Sequence, residues 1–575
     1  LAGCEKSPVI GNVHGSFLGF GTAMVMDSFN VSHWREKMKA ILRAALPLLL
    51  LGALRQAAIA APDVFDVRSS DLLVRTPEEN WVSYNGDYTG RRFSALEQIN
   101  VSNVAQLRAE WVFHAPTSDR LEVTPLVFNG MMFVTSANDT FALDARTGRK
   151  IWENRRRPSE GLIDDASRHL SRGVALWHSR LYRFTDNAHL LCLDARSGQL
   201  LWDIPFADWN RNYGATSAPL IVNDKVIVGT SGGDDGVRGF VAAYDPRDGK
   251  FLWRFWTIPG PGEFGSDSWP GNSYLRGGGT TWMPGTYDAE TNILYWTTSN
   301  AAPDFDGSVR PGDDLYTACV LALNPDNGQL KWYFQFTPHD LFDFDANETP
   351  MLIDAPYNGV PRKLLVQANR NGFLYVLDRT TGEFLSARRF VDKLSWASGI
   401  DAKGRPILTG LIPSENGTRI CPGIAGATNW FSPSYNERTH LVYFLALEEC
   451  ETFFRKPQQF AEGVSYYSTG SKRIPGEQST KVLIAFDLRT LTLAWKYPQV
   501  GGAHSSGGTM TTAGSLVFFG DDAESFEAVD AITGRALWHF NTGQTFNASP
   551  MSYAVEGKQY VAIAAGDSIF SFTLP

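Results

Sequence analysis

Ala142-Leu-Asp-Ala-Arg-Thr-Gly-Arg-Lys-Ile-Trp152 is the stretch on which the fold turns. An apolar run ends at an Asp whose side chain can cap a tight turn. The Gly takes a positive φ at little steric cost, and the Trp opens the next strand with a large flat group. Looser copies end at Trp202, Trp253 and Trp332. A copy ending at Ser386 keeps the Asp and Thr-Gly but lacks the Trp, and Ala485 to Trp495 keeps the Asp and Trp but lacks the Gly. Ala528 to Trp538 is complete, while Trp111 retains only the last strand, making eight units.

Alternating apolar runs precede each turn, some joined by the hairpin signals Asn129-Gly130, Asn223-Asp224 and Glu556-Gly557. Two hairpin strands and two turn strands make a four-stranded sheet. Eight such sheets predict an all-β, eight-bladed β-propeller with tryptophan-docking repeats. Gln559 to Ala565 and Ser568 to Leu574 read as strands that complete the blade begun at Trp111. That closure removes the open edge an array would leave. The long spacings from Trp253 to Trp332 and from Ser386 to Trp495 hold insertions where a pocket can be built.

Outward from the repeat, the N-terminus reads differently. Met38, basic Lys39 and Arg43, the apolar run Ala44 to Leu54 and Ala58-Ile59-Ala60 follow the order of a secretory signal. Residues 1–60 are therefore expected to be an upstream extension and signal peptide cleaved near Ala60, and residues 61–575 the propeller. The apolar run is too short to span a bilayer, so no stable membrane insertion is expected. Beyond residue 60 there are 46 Lys and Arg against 58 Asp and Glu, a formal charge of −12. Such an acidic surface repels nucleic acid and anionic membranes. Five Cys form no C-x-x-C-H haem site. Cys192 and Cys319 read as core residues. Cys421 and Cys450 are either a disulfide formed in an oxidising compartment or two buried thiols.

The repeat alone does not fix a function. Thr337-Pro-His-Asp-Leu-Phe-Asp-Phe-Asp-Ala-Asn347 is more specific: Asp343 and Asp345 alternate along an extended chain and face one side. Paired carboxylates are costly to bury without a cation or proton between them. With Trp81-Val-Ser-Tyr-Asn-Gly-Asp-Tyr, Arg92-Phe-Ser-Ala-Leu and Gly277-Gly-Gly-Thr-Thr-Trp282, this segment makes residues 78–575 resemble the PQQ-dependent methanol/ethanol dehydrogenase family.

The resemblance implies Asp343 as general base and Asp345 as the extra metal ligand of the lanthanide-using branch, lanthanide being favoured over calcium. Asn300 and Asp234 would complete the ligands, although relatives carry the longer Glu at the position of Asp234, so the ion must shift or Asp235 or water must assist. Trp282 matches the residue that stacks on pyrroloquinoline quinone (PQQ), while Arg172 and Arg370 match its cationic contacts. Glu122, Thr216, Thr280 and Asn429 match polar contacts, with Ser231, Gly232 and Gly233 beside them. Cys421 and Cys450 match a disulfide in relatives. Two departures stand out. Ala166-Ser167 replace an adjacent cysteine pair before Arg172, and Ser506 replaces a Trp, which widens the pocket.

The implied activity is periplasmic, metal-dependent oxidation of a small alcohol. Asp343 takes the hydroxyl proton, Arg370 stabilises charge on the quinone oxygens, and electrons pass to a separate cytochrome c. Relatives are often homodimers. Ethanol, longer primary alcohols, aldehydes, diols and polymeric alcohols are all candidate substrates. A non-catalytic scaffold of the outer-membrane assembly type predicts the blades equally well but not the ordered site residues. A metal-dependent hydrolase or lyase would leave Trp282 unexplained.

Overall fold

The computed structural model describes residues 65–575 except 117, 119, 163–169 and 503. The expected signal segment around Met38 and Ala60, and the Ala166-Ser167 departure, lie outside the described residues. Among the described residues no helix is long and apolar enough to cross a membrane.

Eight antiparallel sheets repeat one plan of four strands. The blade containing Trp152 runs Leu126–Phe128, Met131–Thr135, Thr140–Asp144 and Lys150–Asn154. Its first strand is wholly buried and its last alternates exposed and buried positions, so the first faces the propeller axis and the last faces solvent. All three hairpin signals fall at two-residue turns between consecutive strands. The expected closure is present. Arg108–His114 forms the outer edge of a blade whose other strands are Ser568–Thr573, Lys558–Ala565 and Met551–Val555. Phe93–Ser94 adds a parallel strand beside Thr509–Thr512 in the blade that precedes the closing one.

The repeat is a device for joining blades. Asp144 Oδ1 accepts from the backbone N–H groups of Arg146 and Thr147, and Gly148 follows at φ 70°. Trp111 of the preceding blade lies on this glycine and donates its indole N–H to Ala145 O at 3.1 Å. Trp152 repeats the contact over Gly198, Trp253 over Gly328, Trp332 over Gly382 and Trp495 over Gly534. Trp538 donates to Leu107 O, which carries the docking across the chain ends. In every blade the ladder skips the residue before the Trp, or before Ser386, a bulge that re-aims the side chain toward the neighbour.

The two imperfect repeats are one feature. The blade ending at Ser386 has no Trp to dock, and the turn of the following blade has no Gly. Leu491 sits there at φ 54°, buried in the hydrophobic cluster those two blades share. A Cβ at Gly148 would instead lie 2.6 Å from the Trp111 ring, besides adopting a disfavoured φ. Gly148→Ala is therefore expected to destabilise the propeller by about 2–3 kcal/mol, read as a lower denaturant midpoint at unchanged slope. Leu491→Ala should show cavity formation instead, with no positive-φ or indole clash to add.

The insertion between Ser386 and Trp495 carries a hairpin, Ala397–Ile400 with Pro406–Leu408, and a sheet of Thr418–Ile420, Glu451–Arg455 and Thr469–Arg473. Cys421 and Cys450 are bridged (S–S 2.02 Å), while Cys192 and Cys319 are buried free thiols.

Candidate active site

Alternating strand direction puts two kinds of connection at one end of the propeller. These are the loop entering each inner strand and the loop joining the second strand to the third. The Asp-x-x-Thr-Gly turns lie at the opposite end, so the repeat builds the scaffold and leaves the other end free for chemistry. Glu122, Arg172, Thr216, Thr280 with Trp282, Asp343 with Asp345, and Asn429 all precede inner strands. Asp234, Asn300 and Arg370 lie in second-to-third connections.

These loops converge on a cavity of about 240 Å³. Glu122, Arg172, Thr216, Ser231, Gly232 and Gly233 line one part of it. Asp234, Thr280, Trp282, Asp343, Asp345, Arg370 and Asn429 line the rest. Asn300 lies buried beneath, and Ser506 is not part of the lining. Arg120, Leu170 and Trp430 complete the walls and were not anticipated.

Arg172 is held by Glu122 (2.6 Å) and Thr216 O (3.1 Å). Its guanidinium lies 4.9 Å from the Trp282 ring centre and 4.6 Å from that of Trp430. Two indoles thus flank one planar cation, an arrangement suited to flat, anionic groups. Gly232, at φ 98°, packs where a Cβ would meet Asn212 O at 2.2 Å. This tight turn directs Asp234 into the cavity. Asp235, beside it, is buried, and its Oδ1 accepts from Ser465 Oγ.

The Asp343–Asp345 segment departs from a simple extended chain. Asp343 adopts φ 62°. Asp340 organises the turn by accepting from the N–H groups of Phe342 (2.9 Å) and Phe344 (2.7 Å), and both rings pack on Trp396. The two carboxylates nevertheless meet at one cation. Arg370 Nη1 lies 2.8 Å from Asp345, and Nη2 lies 3.4 Å from Asp343 and 2.6 Å from Ile424 O. Asp345 Oδ1 also accepts from the N–H of Asn300 at 2.7 Å. Behind them Glu348 is buried on the same arginine.

The electrostatics follow from burial. Desolvation pushes the Asp343 carboxyl well above its usual range against the pull of Arg370, and the charges of Asp345 and Asp234 push it further. Burial likewise raises Asp345 and Glu348. Burial works against the charge of Arg370, but Asp343, Asp345 and Glu348 together hold its pKa still higher than usual.

One residue escaped the sequence reading. Asp304, 1% exposed, places a carboxylate oxygen with those of Asp234 and Asp343, all three within 4.8 Å of one another. Neither Asp304 oxygen, nor Asn300 Oδ1, has a hydrogen-bond partner. Carboxylates so crowded and dry call for a proton or a hard cation, and an orphaned amide oxygen fits the cation. The donor set thus fits a metal ion, and the two indoles with Arg120, Arg172 and Arg370 fit a flat polyanion beside it. Asp304 lies four residues past Asn300, and only that proximity could have flagged it.

Comparison with known proteins agrees with this chemistry. Residues 81–387 and 485–561 match the PQQ glucose/ethanol/alcohol dehydrogenase β-propeller domain. The chain is 37% identical to quinohemoprotein alcohol dehydrogenase ADH IIB of Pseudomonas putida, over 92% of this chain and 79% of that protein. It is 34% identical to quinoprotein alcohol dehydrogenase PedH of Pseudomonas putida KT2440, over 90% and 92%. A solved europium-containing methanol dehydrogenase superposes with a TM-score of 0.81 at 27% identity, covering 88% of this chain and 100% of that one.

Proposed function

The chain belongs to the PQQ-dependent alcohol dehydrogenase family and is a quinoprotein alcohol dehydrogenase using PQQ and a metal ion; we propose that Asp343 is its general base, Arg370 its central positioning cation, and a lanthanide its metal. The observation that carries this reading is the approach of the Asp234 and Asp343 carboxylate oxygens to within 4.8 Å of each other while Arg370 spans Asp343 and Asp345.

When bound, PQQ would supply the two-electron acceptor, and a neighbouring metal would make it more electrophilic. Trp282 provides its flat floor, and Arg172 and Arg370 provide countercharge for carboxylates and quinone oxygens. Thr216, Thr280, Glu122 and Asn429 add polar contacts around its rim. Asp234, Asn300 and Asp343 would hold the metal. Asp345 can add a ligand by giving up Arg370. With a cation held among these carboxylates, Asp343 would be kept ionised, because the like-charge repulsion around it would be offset. The free carboxylate then accepts the hydroxyl proton of the alcohol, and the walls exclude water.

The proposed electron acceptor is a separate cytochrome c. A periplasmic location follows from the secretory order of residues 38–60. The proposed substrate is a small alcohol, and a homodimer is the assembly expected of such enzymes.

The test is alcohol-dependent dye reduction by protein reconstituted with PQQ and either calcium or lanthanum. Turnover with lanthanum at least tenfold above calcium is expected. Turnover with calcium alone would overturn the metal assignment. Absence of both turnover and a quinone chromophore would overturn the site.

A further inference from the structure

Asp304 has no role in the reading above, and its surroundings are specific. Arg310 clamps the backbone of this segment, donating to Pro303 O, Asp304 O and Asp340 O. The ion pair of Arg310 is with Asp314, which His339 also contacts. The charge of Arg310 acts on the Asp304 carboxyl through space, but no described residue hydrogen-bonds to either of its oxygens. At that side chain one oxygen each from Asp234, Asp304 and Asp343 crowd within 4.8 Å, and Asn300, in the same connection as Asp304, has an orphaned buried Oδ1.

Two neighbours explain why a third carboxylate is useful here. Asp234 is one methylene shorter than the Glu expected at its position, so its reach toward an ion is reduced. Asp345 has both oxygens engaged, by Arg370 and by the Asn300 N–H. Asp304 lies in the same connection between Ile293–Thr297 and Cys319–Leu323 as Asn300, and closes the gap without disturbing Arg370.

We propose that Asp304 is a ligand of the catalytic metal, forming with Asp234 and Asp343 a three-carboxylate cage whose charge matches a trivalent cation, with Asn300 Oδ1 as a neutral donor. This rests on the metal-dependent reading above. Ligand charge count sets both affinity and the preference between ions of different charge. In this chain the preference for a trivalent ion is thus set by Asp304.

The test compares wild type with Asp304→Asn, which keeps shape and removes one charge, as the full chain loaded with PQQ. Metal content is measured after dialysis against chelator-buffered lanthanum or calcium. The variant should lose roughly 100-fold in lanthanum affinity and about tenfold or less in calcium affinity. Without metal, the variant should melt higher than wild type, because a buried repulsion is gone; with lanthanum it should melt lower. Asp304→Glu, which retains the charge, should keep the preference for lanthanum. Equal affinities in wild type and Asp304→Asn would overturn the proposal. So would an Asp304→Asn chain that fails to fold without metal, since the carboxylate would then be structural. A wild type that turns over alcohol yet binds neither ion would overturn this inference and the metal assignment but leave the PQQ site standing.

Discussion

Asp343→Asn is expected to lower kcat for alcohol oxidation by about a thousandfold or more at saturating metal, while PQQ still binds. The carboxylate has two separable duties, and the substitution removes one more completely than the other. An amide oxygen can still face a cation, so excess metal restores occupancy. It cannot accept the hydroxyl proton, so excess metal does not restore turnover. The two carboxylates nearest to Asp343, those of Asp234 and Asp304, would be occupied by the metal. Asp345 is tied to Arg370 and Asn300, and Glu348 lies behind the arginine. The informative measurement is kcat against lanthanum concentration alongside the quinone absorbance. Full recovery of kcat at high lanthanum would mean that Asp343 acts only as a ligand, and that the base lies elsewhere.

The sequence revealed the scaffold better than the site, for a physical reason. Each Trp must rest on a glycine of the next blade, so the contact is written once per blade in residues a fixed distance apart. The gap at Ser386 and the missing Gly at Leu491 looked like two lapses in the sequence. They are two halves of one contact, and only the packing of adjacent blades joins them. The site lies at the other end of the propeller, where each blade contributes different loops and no period links the residues. Asp343 and Asp345 were legible because they are close in sequence, although the turn that orients them depends on Asp340, whose carboxylate accepts two backbone N–H groups. Asp304 was not legible, because its significance lies in Asp234 and Asp343, which are distant along the chain and meet it only through blade geometry. Trp430 was hidden similarly: the insertion brings it against Arg172, opposite Trp282.

Arg370→Leu is expected to destabilise the metal-free protein by about 3–5 kcal/mol and to abolish turnover. The guanidinium is 5% exposed and is the cation shared by Asp343, Asp345 and Glu348. Removing it leaves three buried carboxyl groups to be neutralised by protons alone, a far heavier cost than deleting an exposed ion pair. Arg370→Lys separates charge from geometry. An ammonium can compensate charge but cannot span Asp345, Asp343 and Ile424 O at once, as the fork does. That variant should fold with a midpoint near wild type, yet lose roughly 100-fold in kcat/KM because Asp343 is no longer aimed. Metal supplies the final discrimination. A cation among Asp234, Asp304 and Asp343 supplies part of the charge that Arg370 provides, so lanthanum should recover part of the stability lost in Arg370→Leu but none of the activity. An unchanged midpoint for metal-free Arg370→Leu would show that the carboxyl groups are already protonated and that Arg370 is not their counter-ion. Recovery of activity with metal would show that its fork does not position the base.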